Sequence, residues 1–318
     1  MPLTNVWPGR NGETMKAVSP LTRFLGLAAA TLTLSLVACR PGQNSQTSPG
    51  TSETPAEPRY PITGQVVSVL TERGSLLVDH AAIPGYMPAM TMEFQVGTGD
   101  LALAKQGARL RATLVEGTGG SFRLEGIWWE NATADAEINR ASSALREETT
   151  IRGRKAYREV GENLPDFSLY NQEGQAVPVG RWRGKQVMLN FIFTRCTVAA
   201  MCPASTLKMM QTQAKAKAAG IPNIEFVSIT LDPEFDTPGV LKEYARQRAI
   251  DTTNFSFLTG PESAIKDLFK QFGILTDMRG GVLNHTLATL LINEQGKIVW
   301  RVDGSGWSPD DFVAKMAR

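Results

Sequence analysis

Histidine occurs only twice in the 318 residues, at His80 and His285, and sulfur accompanies both. His80 precedes Met87, Met90 and Met92, while His285 shares the C-terminal half with Cys196 and Cys202, the only cysteines besides Cys39. Imidazole, thiolate and thioether are the donors soft metal ions prefer. Two thiolates with one neutral imidazole make a trigonal set suited to Cu(I) and usable by Cu(II), whereas tetrahedral zinc calls for a fourth donor. Thioether sulfur is not protonated near neutral pH, so the methionine cluster favours Cu(I) or Ag(I) over harder ions. The residue types therefore point to a soft ion held at two places.

Both clusters have other readings. The cysteines precede Pro203, which suits the first turn of a helix. A thiol at a helix N-terminus feels the macrodipole and free N–H groups, which predicts a pKa below the usual ~8.5. Such a pair also suits thiol–disulfide exchange, peroxidase chemistry or a structural disulfide. Metal holding ranks first, since a structural disulfide leaves His285 without a role. The five residues between the cysteines also differ from the two usual in thioredoxins, and no proline precedes Cys196 at the peroxiredoxin spacing. Met90 and Met92 stand two apart and face the same way on a strand, a pattern that also serves core packing. Met201, Met209 and Met210 are read as packing.

Scaffolds must bring these residues together. With 42% hydrophobic and 20% charged residues the chain can bury substantial cores, and its length calls for two folded units. A formal charge of +2 supplies no long-range field and no basic run is interleaved with aromatics, so no nucleic-acid partner is expected. Residues 1–39 read as an export signal: Lys16 and Arg23, an apolar stretch too short to span a bilayer, then Leu36-Val37-Ala38-Cys39, whose ending resembles a bacterial lipobox and so implies a lipoprotein with lipid on Cys39 rather than a plain secretory signal; Met15 is a candidate start. Residues 40–59, rich in Pro, Gly, Ser and Thr, form a disordered tether.

Between 60 and 130, β-rich runs at 64–70, 75–80, 90–96, 109–115 and 122–128 predict a small all-β, OB-like barrel. Residues 131–160, including the basic group Arg152, Arg154 and Lys155, are read as a linker with some helix. From 161 to 318, apolar runs at 187–193 and 224–231 alternate with helical stretches at 203–219, 237–249 and 262–272. A hairpin of 287–293 with 297–302 and a helix at 309–316 complete an α/β thioredoxin-like sandwich. In this arrangement His285 projects from the start of the strand 287–293 towards the cysteine loop, and His80, ending a barrel strand, meets Met90 and Met92 across the wall.

The strand-loop-helix cysteines, Leu231-Asp232-Pro233 with Asp236-Thr237-Pro238, and Asn284-His285-Thr286 resemble the Sco/SenC family of copper-handling thioredoxin-like proteins over residues 161–318. The resemblance implies Cys196, Cys202 and His285 as copper ligands, Cys196 and Cys202 as a redox-active pair, and copper delivery to the binuclear centre of a cytochrome c oxidase subunit. It places an acidic position at Asp232, where turn capping is the expected role and support of the site the alternative. This chain departs from the family's usual motif in having five residues rather than three between the cysteines and Thr197 in place of a proline, which bears on affinity and redox potential.

The stretch from His80 to Met92 resembles the metal-binding segment of CusF-like periplasmic copper proteins, implying His80, Met90 and Met92 as ligands. Where that family has a tryptophan, Met87 stands, offering a third thioether, with Tyr86 as an alternative cover over the ion. Together the resemblances imply a lipid-anchored copper carrier of the bacterial envelope, facing the periplasm, rather than an enzyme. Its two sites would be joined by a mobile linker along which copper is relayed. The alternatives are a membrane-tethered thiol reductase acting on oxidase-subunit cysteines and a copper-tolerance buffer.

Overall fold

The computed structural model describes residues 57–153, 157–279 and 282–317. The export signal with Cys39 and most of the tether lie outside the described residues, as do Arg154 and Lys155.

Strands β1 (Arg59–Leu70), β2 (Ser75–His80), β3 (Met90–Gln95), β4 (Arg109–Glu116) and β5 (Phe122–Trp129) form a closed barrel in the order β1-β2-β3-β5-β4. Period-two alternation drives this closure: Leu76, Val78, Phe94, Leu110, Leu114 and Ile127 are fully buried inside, while charged residues face out. Gly74 supplies the left-handed backbone (φ 64°) with which the chain turns from β1 into β2. A short helix, α1 (Thr98–Leu103), follows β3.

The C-terminal part is built on a seven-stranded sheet. Its strands are β6 (Ser168–Asn171), β7 (Ala176–Pro178), β8 (Gln186–Ile192), β9 (Ile224–Thr230), β10 (Phe255–Thr259), β13 (Ala288–Ile292) and β14 (Ile298–Asp303), in the order β14-β13-β8-β9-β10-β6-β7. The central strands β8, β9 and β10 run parallel and are buried along almost their whole length, as expected where helices cover both faces. The helices are α2 (Ala132–Arg152), α3 (Cys202–Ala218), α4 (Pro238–Gln247), α5 (Glu262–Phe272) and α6 (Pro309–Met316). A separate ribbon pairs β11 (Thr276–Arg279) with β12 (Val282–His285).

Two expectations are corrected. The stretch read as a mobile linker with some helix is helix α2 for most of its length and is packed rather than mobile, capped by the Asn131 side chain, which accepts from the Ala134 N–H. It buries Ala134, Ile138, Leu145 and Thr149, and Arg146 and Thr149 bond to Asp267 and Gln271 of α5. Its few apolar residues are spread thinly among polar ones, so the sequence shows little sign of a packed helix. His285, in turn, does not open the strand that follows; it closes β12, opposite Thr276 of β11. The barrel also touches the sandwich directly. A Cβ on Gly99 of α1 would lie 1.9 Å from the Gly239 carbonyl oxygen of α4, so only bare backbones fit at this crossing.

Candidate metal centres

In the sandwich, β8 leads through Thr194 and Arg195 to Cys196, and Cys202 opens α3. The long inter-cysteine stretch folds into its own turn, the Met201 N–H donating to the Val198 carbonyl at 2.9 Å and the Ala204 N–H to the Ala199 carbonyl at 3.2 Å. Because the turn absorbs the extra length, the donor atoms of Cys196, Cys202 and His285 all lie within 4.8 Å of one another. Cys202 Sγ is 3.4 Å from His285 Nε2, and both thiols are free.

Burial governs the electrostatics. Cys202 is 1% exposed, and desolvation, with Cys196 beside it, pushes its thiol far above the ordinary range despite the helix N-terminus. The lowered pKa expected from the macrodipole is therefore overturned at Cys202, since removing the thiolate from water outweighs the dipole. A buried thiolate of this kind is stabilised by a cation at the same spot. His285 moves the opposite way, burial lowering its pKa and holding the ring neutral. Its Nδ1–H donates to the Thr286 carbonyl at 3.0 Å, which leaves the Nε2 lone pair facing Cys202. The Phe193 ring meets the imidazole edge-on with centroids 5.4 Å apart.

Sequence reasoning missed the support beneath this loop. Asp236, fully buried, accepts from the Thr194 N–H at 3.1 Å, from the Thr194 hydroxyl, and from the Thr230 hydroxyl at 2.6 Å. Burial pushes its carboxyl up to about 6 although these bonds favour the anion. Asp232 accepts from Arg195 Nε at 3.1 Å, and the guanidinium also lies 4.1 Å from the Phe235 ring centroid. The Asp232 carboxylate thus holds the residue before Cys196 rather than capping the turn as expected; the turn is closed by backbone, the Asp232 carbonyl accepting from the Asp236 N–H at 2.8 Å. Asp236 stands four residues after Asp232 and directly before Thr237-Pro238, but nothing in that stretch points to its partner Thr194.

In the barrel, His80 of β2 stands directly opposite Met90 of β3, and Met92 opposite Val78, so the three side chains share one face. His80 is 2% exposed and Met90 43%, while Met92 and Met87 pack half-buried against the barrel core. His80 Nδ1 lies 2.8 Å from the Ala81 carbonyl and its buried Nε2 has no hydrogen-bond partner. An orphaned imidazole nitrogen on the face that carries Met90 fits a soft-metal donor. Tyr86 stacks on Tyr60 at 3.9 Å and donates to Glu116 at 2.6 Å, which commits one face of its ring. The Ile83 N–H donates to the Met87 carbonyl at 2.9 Å, turning the loop back on the barrel.

A thioredoxin-like domain with a Cys/Cys/His cluster at its strand-to-helix turn, carrying an all-β module before it, defines the class of protein. The chain belongs to the SCO1/SenC family, whose model matches residues 155–318, and residues 59–128 match the model of the copper binding periplasmic protein CusF. Among similar proteins, the SCO1 protein homolog of Bacillus subtilis is 31% identical over 155 residues, covering 47% of this chain and 79% of that protein. A SCO1/SenC family lipoprotein of Bacillus anthracis has a solved structure with 29% identity and a TM-score of 0.46, covering 51% of this chain and 98% of that one. BsSco, described as a member of the Sco family of cytochrome c oxidase assembly proteins, shows 27% identity and a TM-score of 0.44, covering 50% of this chain and 96% of that one.

Proposed function

We propose that the protein is a copper metallochaperone of the bacterial envelope, held to a membrane through lipid on Cys39 and facing the periplasm. It carries copper for the binuclear centre of a cytochrome c oxidase subunit. The observation that carries this reading is the convergence of Cys196, Cys202 and His285, with Nε2 of a neutral imidazole 3.4 Å from Cys202 Sγ. Membership of the SCO1/SenC family and the CusF match of the barrel support copper as the cargo at both sites. Cu(I) suits both donor sets, and the thiolate–imidazole set also accepts Cu(II). Copper at the barrel would lie on the face of His80, Met90 and Met92, with Met87 nearby. The test mixes copper-loaded full chain with the apo form of a copper-accepting oxidase subunit and measures metal in each after separation. Copper is expected to leave the wild-type chain; retention of all copper by the donor would overturn the reading.

A thiol reductase is the second reading, favoured by two free thiols within reach of each other. His285 separates the two. As a carrier the His285→Ala chain loses copper transfer and keeps thiol–disulfide exchange, whereas a reductase keeps its activity towards oxidised oxidase-subunit cysteines and owes nothing to the imidazole.

A further inference from the structure

The cysteine loop is held on a side that the Asp236 network does not reach. Ser305 Oγ, in the turn after β14, donates to the Ala200 carbonyl at 2.8 Å, just before Met201 and Cys202. Ser305 is itself pinned, its carbonyl accepting from Lys208 Nζ at 2.5 Å. Lys208 makes a second bond to the Trp307 carbonyl at 2.7 Å, and its ammonium lies 5.5 Å from the Trp307 ring centroid. Lys208 stands in the second turn of α3, the helix that Cys202 opens. The contacts therefore form a ring from α3 through Lys208 to Ser305 and Ala200, and back to α3.

A longer loop has more arrangements to lose when its two ends must present sulfur to one ion. Hydrogen bonds that hold it beforehand reduce that loss; outer partners bonded to the ligands themselves commonly govern metal affinity by about 10–100-fold, and a brace on the loop joining two ligands is expected at the low end of that range. Ala199 and Ala200 offer no side-chain polar group of their own, so the Ala200 carbonyl is the available handle. We propose that Ser305 and Lys208 are positioning residues of the C-terminal metal site, bracing the long inter-cysteine loop at Ala200 and so setting how Cys196 and Cys202 meet the cargo. The inference rests on the carrier reading above and deepens it.

The test titrates the full chain with Cu(II) against a competing chelator, followed by the intense visible thiolate-to-Cu(II) absorption band. Wild type is compared with Ser305→Ala, Ser305→Thr, Lys208→Met and Cys196→Ser, with thermal melts of each. Ser305→Ala and Lys208→Met are expected to bind about tenfold more weakly, with a displaced band and unchanged melting. Ser305→Thr, which keeps the hydroxyl, is expected to restore both properties. Affinity and band indistinguishable from wild type in Ser305→Ala, or a loss that Ser305→Thr leaves in place, would overturn the brace while leaving the carrier reading intact. A Cys196→Ser chain with the wild-type band would remove the site itself, and the brace with it.

Discussion

Both histidines are prepared in the same way. Each directs Nδ1 at the carbonyl of the following residue, His80 to Ala81 at 2.8 Å and His285 to Thr286 at 3.0 Å, so each keeps Nε2 for a ligand. Cys202 sets the pH dependence. Burial holds the Cys202 proton well above the ordinary thiol range, so copper must displace that proton to bind. Copper affinity at the C-terminal site is therefore expected to rise with pH between 6.5 and 8, by about tenfold per unit for each proton displaced. His285 adds no slope in that window because its pKa lies below the ordinary value and the ring is already neutral. Chelator competition at several pH values checks this; flat affinity would mean that the thiol is already ionised without metal. That these residues belong together was legible from their scarcity in the chain. Their protonation was not, because it depends on how deeply the fold buries each group.

Among the elements, the α1–α4 crossing carries the sharpest expectations. Introducing a Cβ at Gly239 brings it to 2.0 Å from Asp100 Oδ1, so Gly239→Val is expected to force the helices apart at a cost of roughly 1–3 kcal/mol, read in thermal melts. Asp100 lies in this crossing, 6% exposed, with Oδ1 lacking a hydrogen-bond partner, and burial raises its carboxyl to about 7. Its folded pKa lies above the unfolded value, so the folded state binds the extra proton and loses stability as pH rises from about 4 to 7. Asp100→Asn is thus expected to be more stable than wild type at pH 8, by roughly 1–3 kcal/mol, with the gain shrinking at pH 5. An equal difference at both pH values would show that the carboxyl does not titrate in this range.

The strands of both modules and the main helices of the sandwich were legible because apolar residues recur at period two or 3.6. Helix α1, six residues long, gives too short a pattern to register. The β11–β12 ribbon, which ends at His285, has no clear alternation of its own. Neither the Gly99–Gly239 approach nor the Asp236 bonds to Thr194 has a local signature, since each joins stretches far apart in the chain.

At the scale of the whole molecule, the barrel is joined to the sandwich by a packed helix and by the glycine crossing, so a relay through a loose linker gives way to two sites on one compact body. A tethered pair gains from effective concentration, whereas a docked pair also fixes the path between donors. Each module is expected to hold one soft ion. The deciding quantity is the number of Cu(I) ions the full chain retains against a chelator, before and after Cys196→Ser with Cys202→Ser. The expected result is two ions per chain in the wild type and one in the double variant, with the remaining ion lost when His80→Ala and Met90→Leu are added. Two ions retained in the chain without thiols would rule out a thiolate site in the sandwich.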